Sequence, residues 1–334
     1  MPRDTPQKNP SHYYLMKNLA NTICLSLLVC LFLPSCKEAP KETEVKTKKV
    51  LYVTHYPGNF HDYKEQEAFF QEYAKEASWD VTVMKTDIGI GYADLRRARK
   101  GKTEADAAIR KKHPRHQNYA ELLELLKKKD FAKGYDVVVY NFCIAASDDL
   151  EAAHNIMEQT RTNGVPAMLI HCTMHCFWPT YRNGTAGIIP GNSGPAKTSQ
   201  ALVDKWTAKH LDVPFPAWGD FTGIASSKHG PHTPITYTVV TKDHPAAKRV
   251  TKDFVMEDTE LYDNLYKVDG VIPIVSGQQG ELKAVAMWEC PQGISKVIGI
   301  SAGHAMPDWT NENFKFLVID GIDYLIANPS SNAN

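Results

Sequence analysis

Three histidines in the sequence each follow a short, β-rich apolar run. His61 comes after the first such run, His171 directly after a later one, and His304 after the last. Neutral imidazoles bind divalent metals such as zinc, and histidine also moves protons near neutral pH. We predict that these three residues are catalytic and that they bind a divalent metal, zinc or manganese. The HExxH motif is absent, so metal-free acid/base chemistry stays open.

Cys172 offers a second chemistry. It follows the same apolar run as His171 and precedes a predicted helix, where a helix N-terminus would lower its thiol pKa. His304 would then serve as its base. However, no glycine flanks Cys172 at the spacing of a nucleophile elbow, and no adjacent acid orients His304. The pattern favours histidine or metal chemistry over a cysteine-dependent hydrolase.

Alternating strands and helices are expected to bring these residues together. The pattern predicts an α/β fold with a doubly wound, mostly parallel sheet in a single domain. Ligands of such sheets bind beyond the carboxyl ends of the strands, where Asp62 and Asn141 are also expected. The predicted strands are residues 50–54, 79–84, 135–141, 165–170, 235–240, 283–288 and 296–300, and the clearest helices are 64–77, 149–162 and 312–326.

One segment interrupts this alternation. Residues 94–115 contain nine lysines and arginines but only three acidic residues. The composition is typical of solvated helices. The alternative is a lid or an anion-attracting rim over the site.

The N-terminal sequence predicts export and lipidation. An apolar run from Leu19 to Leu33 leads into Leu33-Pro34-Ser35-Cys36, the pattern of a bacterial lipobox. We predict a leader and signal peptide at 1–35, acylation of Cys36, and a flexible tether at 36–48. An ordinary cleaved signal or an uncleaved anchor is the alternative. The α/β domain would span 49–327, followed by a disordered tail at 328–334.

The overall charge and the number of cysteines limit the kinds of partner and scaffold that the sequence predicts. Lysine plus arginine and aspartate plus glutamate both total 38, so no overall charge predicts binding to nucleic acid. Four cysteines follow Cys36, too few and too irregularly spaced for a disulfide scaffold. The expected location is the bacterial cell envelope, on the periplasmic side or at the outer-membrane surface, with the lipid anchor as the membrane contact.

Several segments together resemble the ThuA-like (trehalose-utilisation) family. They include VLYVTHYPGNFHD, YDVVVYN, GVPAMLIHC, VVTKDHPAAKRV, EDTELYDN and VIGISAGHAMPDWTNENFKFLVIDGIDYLI. The resemblance implies a flavodoxin-like fold related to class I glutamine amidotransferases. Cys172 stands where many members have serine, and the His-Pro-Glu ending of glutamine amidotransferases is missing. Glutaminase activity is therefore not expected. The family positions fall on His61-Asp62, His171, His244-Pro245, Glu260-Leu261-Tyr262 and Gly303-His304.

The resemblance implies a function in sugar metabolism. Its expected substrate is a sugar or an oxidised (keto) glycoside, and its expected chemistry is proton transfer next to a carbonyl or cleavage of the glycoside. A carbohydrate-binding protein without turnover is the alternative. Sugar sites combine aromatic platforms with polar edges. The predicted substrate-binding residues are Asp62, Asn141, Trp178, Tyr181, Glu260 and Trp309.

Overall fold

The computed structural model describes residues 47–115, 117–180, 186–188, 195–197 and 200–330. Five predictions lie wholly or partly outside these residues: the signal peptide, the acylated Cys36, residues 36–46 of the tether, the substrate-binding Tyr181 and the last four residues of the tail. Within the described residues, no helix is both long enough and apolar enough to cross a membrane.

The chain alternates strands and helices as predicted. The strands are β1 Lys48–Tyr56, β2 Trp79–Asp87, β3 Val137–Tyr140, β4 Ala167–Ile170, β5 Ala186–Ile188, β6 Pro195–Lys197, β7 Ile224–Ala225, β8 Thr233–Val239, β9 Phe254–Thr259, β10 Tyr266–Lys267, β11 Ile272–Gln279, β12 Leu282–Gln292 and β13 Ser295–Ile300. The helices are α1 Tyr63–Ala77, α2 Tyr92–Lys100, α3 Glu104–Lys112, α4 Ala120–Leu126, α5 Leu150–Arg161, α6 Gln200–Lys209, α7 Trp218–Thr222, α8 Met306–Thr310 and α9 Glu312–Ala327.

Nine strands form one mixed sheet in the order β2-β1-β3-β4-β13-β12-β11-β8-β9. The first five are parallel, and the remaining four continue the sheet through antiparallel pairs. Tight turns connect β11 to β12 and β12 to β13, with Gly280 and Gly293 at positive φ in these two turns. The predicted α/β fold in a single domain is confirmed.

The inner strands of the parallel part, β1, β3, β4 and β13, are buried on both faces, as a doubly wound fold requires. Alternate residues of β1 face opposite cores: Leu51 and Val53 pack with α4, α5 and α7, whereas Val50 and Tyr52 pack with α1 and α9. A strand buried on both faces reads as a continuous apolar run, which is why β1 was recognisable in the sequence. The predicted stripe on α9 is core, with Ile319 and Ile322 buried.

Strands β9 and β11 were not predicted. Strand β9 lies at the sheet edge, and its Val255, Glu257 and Asp258 side chains are exposed. Strand β11 carries a serine, a glycine and two glutamines among its eight residues. Both are partly polar because only one side of this antiparallel region packs on the core.

The basic segment folds into helices α2 and α3, between β2 and β3. A capping box at Thr103 and Asp106 begins α3. Arg97 pairs with Asp94 at 2.7 Å, and Arg110 donates to the Gly101 carbonyl at 2.6 Å. The segment is therefore an ordered part of the domain next to the carboxyl edge of the sheet.

Candidate functional site

A cavity of about 300 Å³ opens at the carboxyl ends of the parallel strands. This is the edge at which α/β sheets of this kind bind ligands. Four of the predicted site residues line it, together with nine that the sequence did not single out as ligand-binding. The lining residues are Phe60, His61, Arg96, Cys143, Ala145, Cys172, His175, Trp178, His229, His232, Glu260, Tyr262 and His304.

The three predicted histidines meet beside this cavity, which His61 and His304 line. The ring centres of His61 and His171 are 4.9 Å apart, those of His61 and His304 are 4.9 Å apart, and those of His171 and His304 are 5.1 Å apart. The Nε2 atom of His171 lies 3.2 Å from Nδ1 of His304. One nitrogen from each ring lies within 4.8 Å of the others. The structure thus brings these three side chains together.

Backbone carbonyls fix two of these rings in one tautomer. Nδ1 of His171 lies 2.6 Å from the carbonyl oxygen of Ser301, and Nδ1 of His61 lies 3.2 Å from that of His304. A carbonyl oxygen only accepts, so each Nδ1 carries the hydrogen and each Nε2 keeps its lone pair. This is the arrangement that second-shell partners impose on metal-binding histidines.

The loop that carries His304 is held by a buried carboxylate. Asp308 accepts hydrogen bonds from the backbone N–H groups of Gly303 and His304, at 2.9 and 2.8 Å, and from the Thr259 hydroxyl at 2.7 Å. Gly303 has a φ of +109°, which L side chains rarely adopt. Trp309 donates to the Gly303 carbonyl. These hydrogen bonds fix the conformation of the Gly303-His304 loop, whose His304 side chain lines the cavity.

His171 is itself in an unusual conformation. Its φ is +47°, in the left-handed region that non-glycine residues rarely occupy. It begins a short 3-10 helix, His171–His175, directly after β4. Strained residues of this kind are held by their surroundings and cluster at functional sites. Here the 3-10 helix that His171 begins carries His175, which lines the cavity.

Glu260 is the carboxylate that joins the histidines. Its oxygens lie 3.2 Å from Nδ1 of His304, 2.9 Å from Nε2 of His232, 3.4 Å from Nδ1 of His229 and 3.7 Å from Nε2 of His171. Burial disfavours its charged form, but the hydrogen bond and positive charge of His304 outweigh this and lower the pKa of Glu260 to about 2. Glu260 is therefore ionised at neutral pH.

The buried histidines are neutral at the same pH. Burial lowers the pKa of His61 to about 3, with the charge of His304 adding to the effect. Burial also lowers the pKa of His171 well below its usual range, and that of His175 to about 3. Neutral imidazoles with an ionised carboxylate are the donor set of zinc and related ions. The residues present therefore fit a divalent cation held by His61, His171 and His304, with Glu260 adjacent.

His175 has unmet hydrogen-bonding capacity. Its ring stacks on Tyr262, with ring centres 4.0 Å apart and an interplanar angle of 2°. The side chain is only 2% exposed, and neither ring nitrogen has a hydrogen-bond partner among the described residues. Buried polar atoms nearly always have a partner, so these nitrogens indicate a missing water or ligand.

The structure gives Cys172 no activation as a nucleophile. Its thiol donates to Sγ of Cys143 at 2.8 Å, and this bond, followed by burial, raises the pKa of Cys172 well above its usual range. It lies within the 3-10 helix rather than at the start of an α-helix. A raised thiol pKa disfavours the thiolate that such chemistry requires.

The predicted substrate-binding residues divide into two groups. Trp178 and Glu260 line the cavity. Asp62 instead caps α1, and Asn141 donates to Tyr52 and Gln66 inside the fold. Trp309 is 1% exposed and packs behind the Gly303 loop. A direct role in binding for Asp62, Asn141 and Trp309 stays a prediction, and their placement gives it no support.

Two further histidines could not be assigned from the sequence. His229 and His232 come from the segment before β8, far along the chain from any parallel strand. His229 forms an isolated bridge with Tyr262, which brings that segment to the cavity. The sequence contains no local signal for this, because the contact depends on the antiparallel half of the sheet.

Comparison with protein-family models and with curated proteins finds no match for this chain. Solved structures do match at low identity. A ThuA-like protein from Bacteroides uniformis ATCC 8492 is 13% identical, with a TM-score of 0.49, over 86% of this chain and 94% of its own. A ThuA-like protein from Parabacteroides merdae ATCC 43184 is also 13% identical, with a TM-score of 0.49, over 86% and 93%. The glutaminase domain of Trypanosoma brucei CTPS, with bound acivicin, is 12% identical, with a TM-score of 0.38, over 86% and 96%.

Proposed function

We propose that this protein is an exported, lipid-anchored enzyme that acts on a sugar or ketoglycoside by metal-assisted acid/base chemistry. The observation that carries the proposal is the cluster of His61, His171 and His304 next to the cavity, with one nitrogen of each ring within 4.8 Å of the others and the ionised Glu260 beside them. Such a set of neutral imidazoles and a carboxylate suits a divalent cation.

The side chains around the cavity divide the chemical tasks. A bound divalent cation would stabilise negative charge developing on a substrate oxygen. Glu260, ionised at neutral pH, is positioned to accept a proton. His232, 2.9 Å from Glu260 and 48% exposed, is positioned to pass that proton to solvent. The Tyr262 hydroxyl lies 3.1 Å from Nε2 of His171, the nitrogen that would bind the cation, and the Ser301 carbonyl orients that ring through Nδ1.

The sugar substrate is inferred from the sequence resemblance and from the lining of the cavity. Phe60, Trp178 and Tyr262 present aromatic surface, and the histidines and Glu260 present polar edges. Small-molecule sites combine apolar and aromatic walls with a few placed polar groups in this way. The volume of about 300 Å³ is at the lower end for such sites, which favours one or two sugar rings.

Metal analysis tests the metal component. The full-length chain is loaded with zinc or manganese, desalted, and compared with His61→Ala, His171→Ala and His304→Ala. We expect close to one metal ion per wild-type chain and a loss in each variant. His113→Ala is the matched control, because His113 ends α3 and does not line the cavity. Equal metal content in all five proteins, or none in any, would contradict the proposal.

Turnover separates an enzyme from a carbohydrate-binding protein. The aromatic lining by itself is equally suited to binding without reaction. Incubation of the metal-loaded chain with ketoglycosides should release product in the wild type and not in His171→Ala. Saturable sugar binding without product, unchanged in the histidine variants, would favour the binding protein instead.

Lipid anchoring is proposed from the sequence alone. The lipobox cysteine, Cys36, follows the apolar run of the signal peptide. Labelling of cells with a clickable fatty acid should mark the wild type but not Cys36→Ser, and the variant should leave the membrane fraction. Equal labelling of both proteins would contradict an anchor at Cys36.

A further inference from the structure

The basic helices α2 and α3 supply one side chain to the cavity. Of the nine lysines and arginines between residues 94 and 115, only Arg96 lines it. Arg96 lines the cavity together with Phe60 and Glu260. The segment therefore does more than cover the protein surface, because it adds a positive charge to the ligand-binding volume.

Arg96 has no protein partner for its charge. Within the described residues it makes no ion pair and no hydrogen bond, and its guanidinium lies 5.8 Å from the ring centre of Tyr92. Its neighbour Arg97, by contrast, pairs with Asp94 at 2.7 Å. The carboxylate of the cavity, Glu260, is already surrounded by histidines. An anion from outside the protein is the partner that Arg96 lacks.

Two more arginines lie next to Asn59 and Phe60, in the loop between β1 and α1. Nη1 of Arg99 lies 3.5 Å from the Asn59 carbonyl oxygen, and the guanidinium of Arg115 lies 5.6 Å from the ring centre of Phe60. Nη2 of Arg99 and both polar side-chain atoms of Asn59 are buried without a hydrogen-bond partner in the described part of the chain. Unmet hydrogen-bonding capacity thus accompanies the positive charge on this side.

We propose that the cavity binds a sugar that carries an anionic group, a carboxylate or a phosphate, and that Arg96 contacts this group. Guanidinium groups bind both anions through paired, charge-assisted hydrogen bonds. Arg99 and Arg115 add positive charge at the same rim. The anion would lie on the Arg96 side, and the sugar ring would extend toward Glu260 and the histidines. The sugar part of this inference rests on the proposed function, whereas the anion part rests on the arginines alone.

Binding of matched probes tests the inference. Dissociation constants are measured by calorimetry for the full-length chain with glucose and glucuronate, with galactose and galacturonate, with glucose 6-phosphate, and with inorganic phosphate. We expect at least one anionic sugar to bind about 10- to 100-fold more tightly than its neutral counterpart. Arg96→Gln should abolish that preference and leave the affinity for the neutral sugar unchanged. Arg97→Gln, on the same helix, should behave as the wild type.

The outcomes separate this inference from the proposed function. A preference for the anionic sugar that survives in Arg96→Gln would overturn the inference, as would equal affinities within every matched pair or no binding by any anionic probe. Inorganic phosphate binding as tightly as glucose 6-phosphate would overturn the sugar part and leave only an anion site. Loss of metal in the histidine variants is a separate readout, because Arg96 is not among the proposed metal ligands.

Discussion

Two buried clusters of histidine and carboxylate in this protein differ in how completely they are satisfied. In the Glu289 cluster, Glu289 accepts from Lys296 at 3.1 Å and contacts Nε2 of His244 at 3.3 Å. Nδ1 of His244 accepts from the Ala246 N–H, and Lys296 also contacts the Tyr324 hydroxyl. None of these atoms is left without a partner.

The cavity cluster is organised differently. Its carboxylate, Glu260, is surrounded by histidines alone, and its His175 has two buried nitrogens without partners in the described residues. It also borders about 300 Å³ of open volume. Buried polar groups that are fully paired stabilise a fold, whereas unpaired ones indicate a group that is supplied from outside. From this comparison we infer that the Glu289 cluster has a structural role and that the cavity cluster binds a ligand.

The largest effect is expected from breaking the Glu289 cluster. Lys296→Met removes the cation and leaves Glu289 buried beside His244 alone, which should lower the free energy of unfolding by about 3–5 kcal/mol. Urea denaturation measures this. Lys283→Met, at an exposed position on β12, is the matched control and should change little. Equal free energies of unfolding for the two variants would contradict a structural role for this cluster.

A second effect concerns acid stability. Burial lowers the pKa of His55 from its ordinary 6.5 to about 4, so the unfolded chain binds this proton first as the pH falls. The stability that His55 contributes is complete above pH 6.5 and is lost as the pH falls toward about 4. The loss should reach about 3 kcal/mol. His55→Gln, which keeps an acceptor for the Cys143 N–H, should have a shallower decline in unfolding free energy over that range. A slope identical to the wild type would show that His55 does not titrate as described.

The smallest effects compare one histidine from each cluster. His175→Phe keeps an aromatic ring on Tyr262 and removes two unpaired nitrogens, so stability should stay the same or rise. Ligand affinity should fall about tenfold, because a hydrogen bond to the ligand is lost. His244→Phe should instead lower stability by about 1–3 kcal/mol, since it takes a partner from Glu289. If His175→Phe lowered the stability and left the ligand affinity unchanged, His175 would have a structural role and the contrast between the two clusters would be wrong.

The sequence predicted the parallel half of the sheet well. Its inner strands are buried on both faces, so runs such as residues 50–53 and 297–300 are continuously apolar. The rule that ligands bind beyond the carboxyl ends of such strands then predicts that His61, His171 and His304 lie together. Local composition was sufficient because each strand and its following loop are contiguous in the chain.

The other half of the site could not be predicted in the same way. Strands β9 and β11 are partly polar, and His229, His232 and Arg96 reach the cavity through long-range contacts that no local pattern encodes. The pairing state of a side chain is also invisible in a sequence. His175 and His244 look alike there, although one has two free nitrogens and the other has none.

Anomalous diffraction from crystals of the zinc-loaded chain would test the central claim most directly. The account predicts a single strong peak at the zinc edge, within bonding distance of Nε2 of His61, Nε2 of His171 and the His304 ring, and no peak at the Glu289 cluster. Full zinc loading with no ordered peak among these three histidines, or with the peak at other residues, would contradict it.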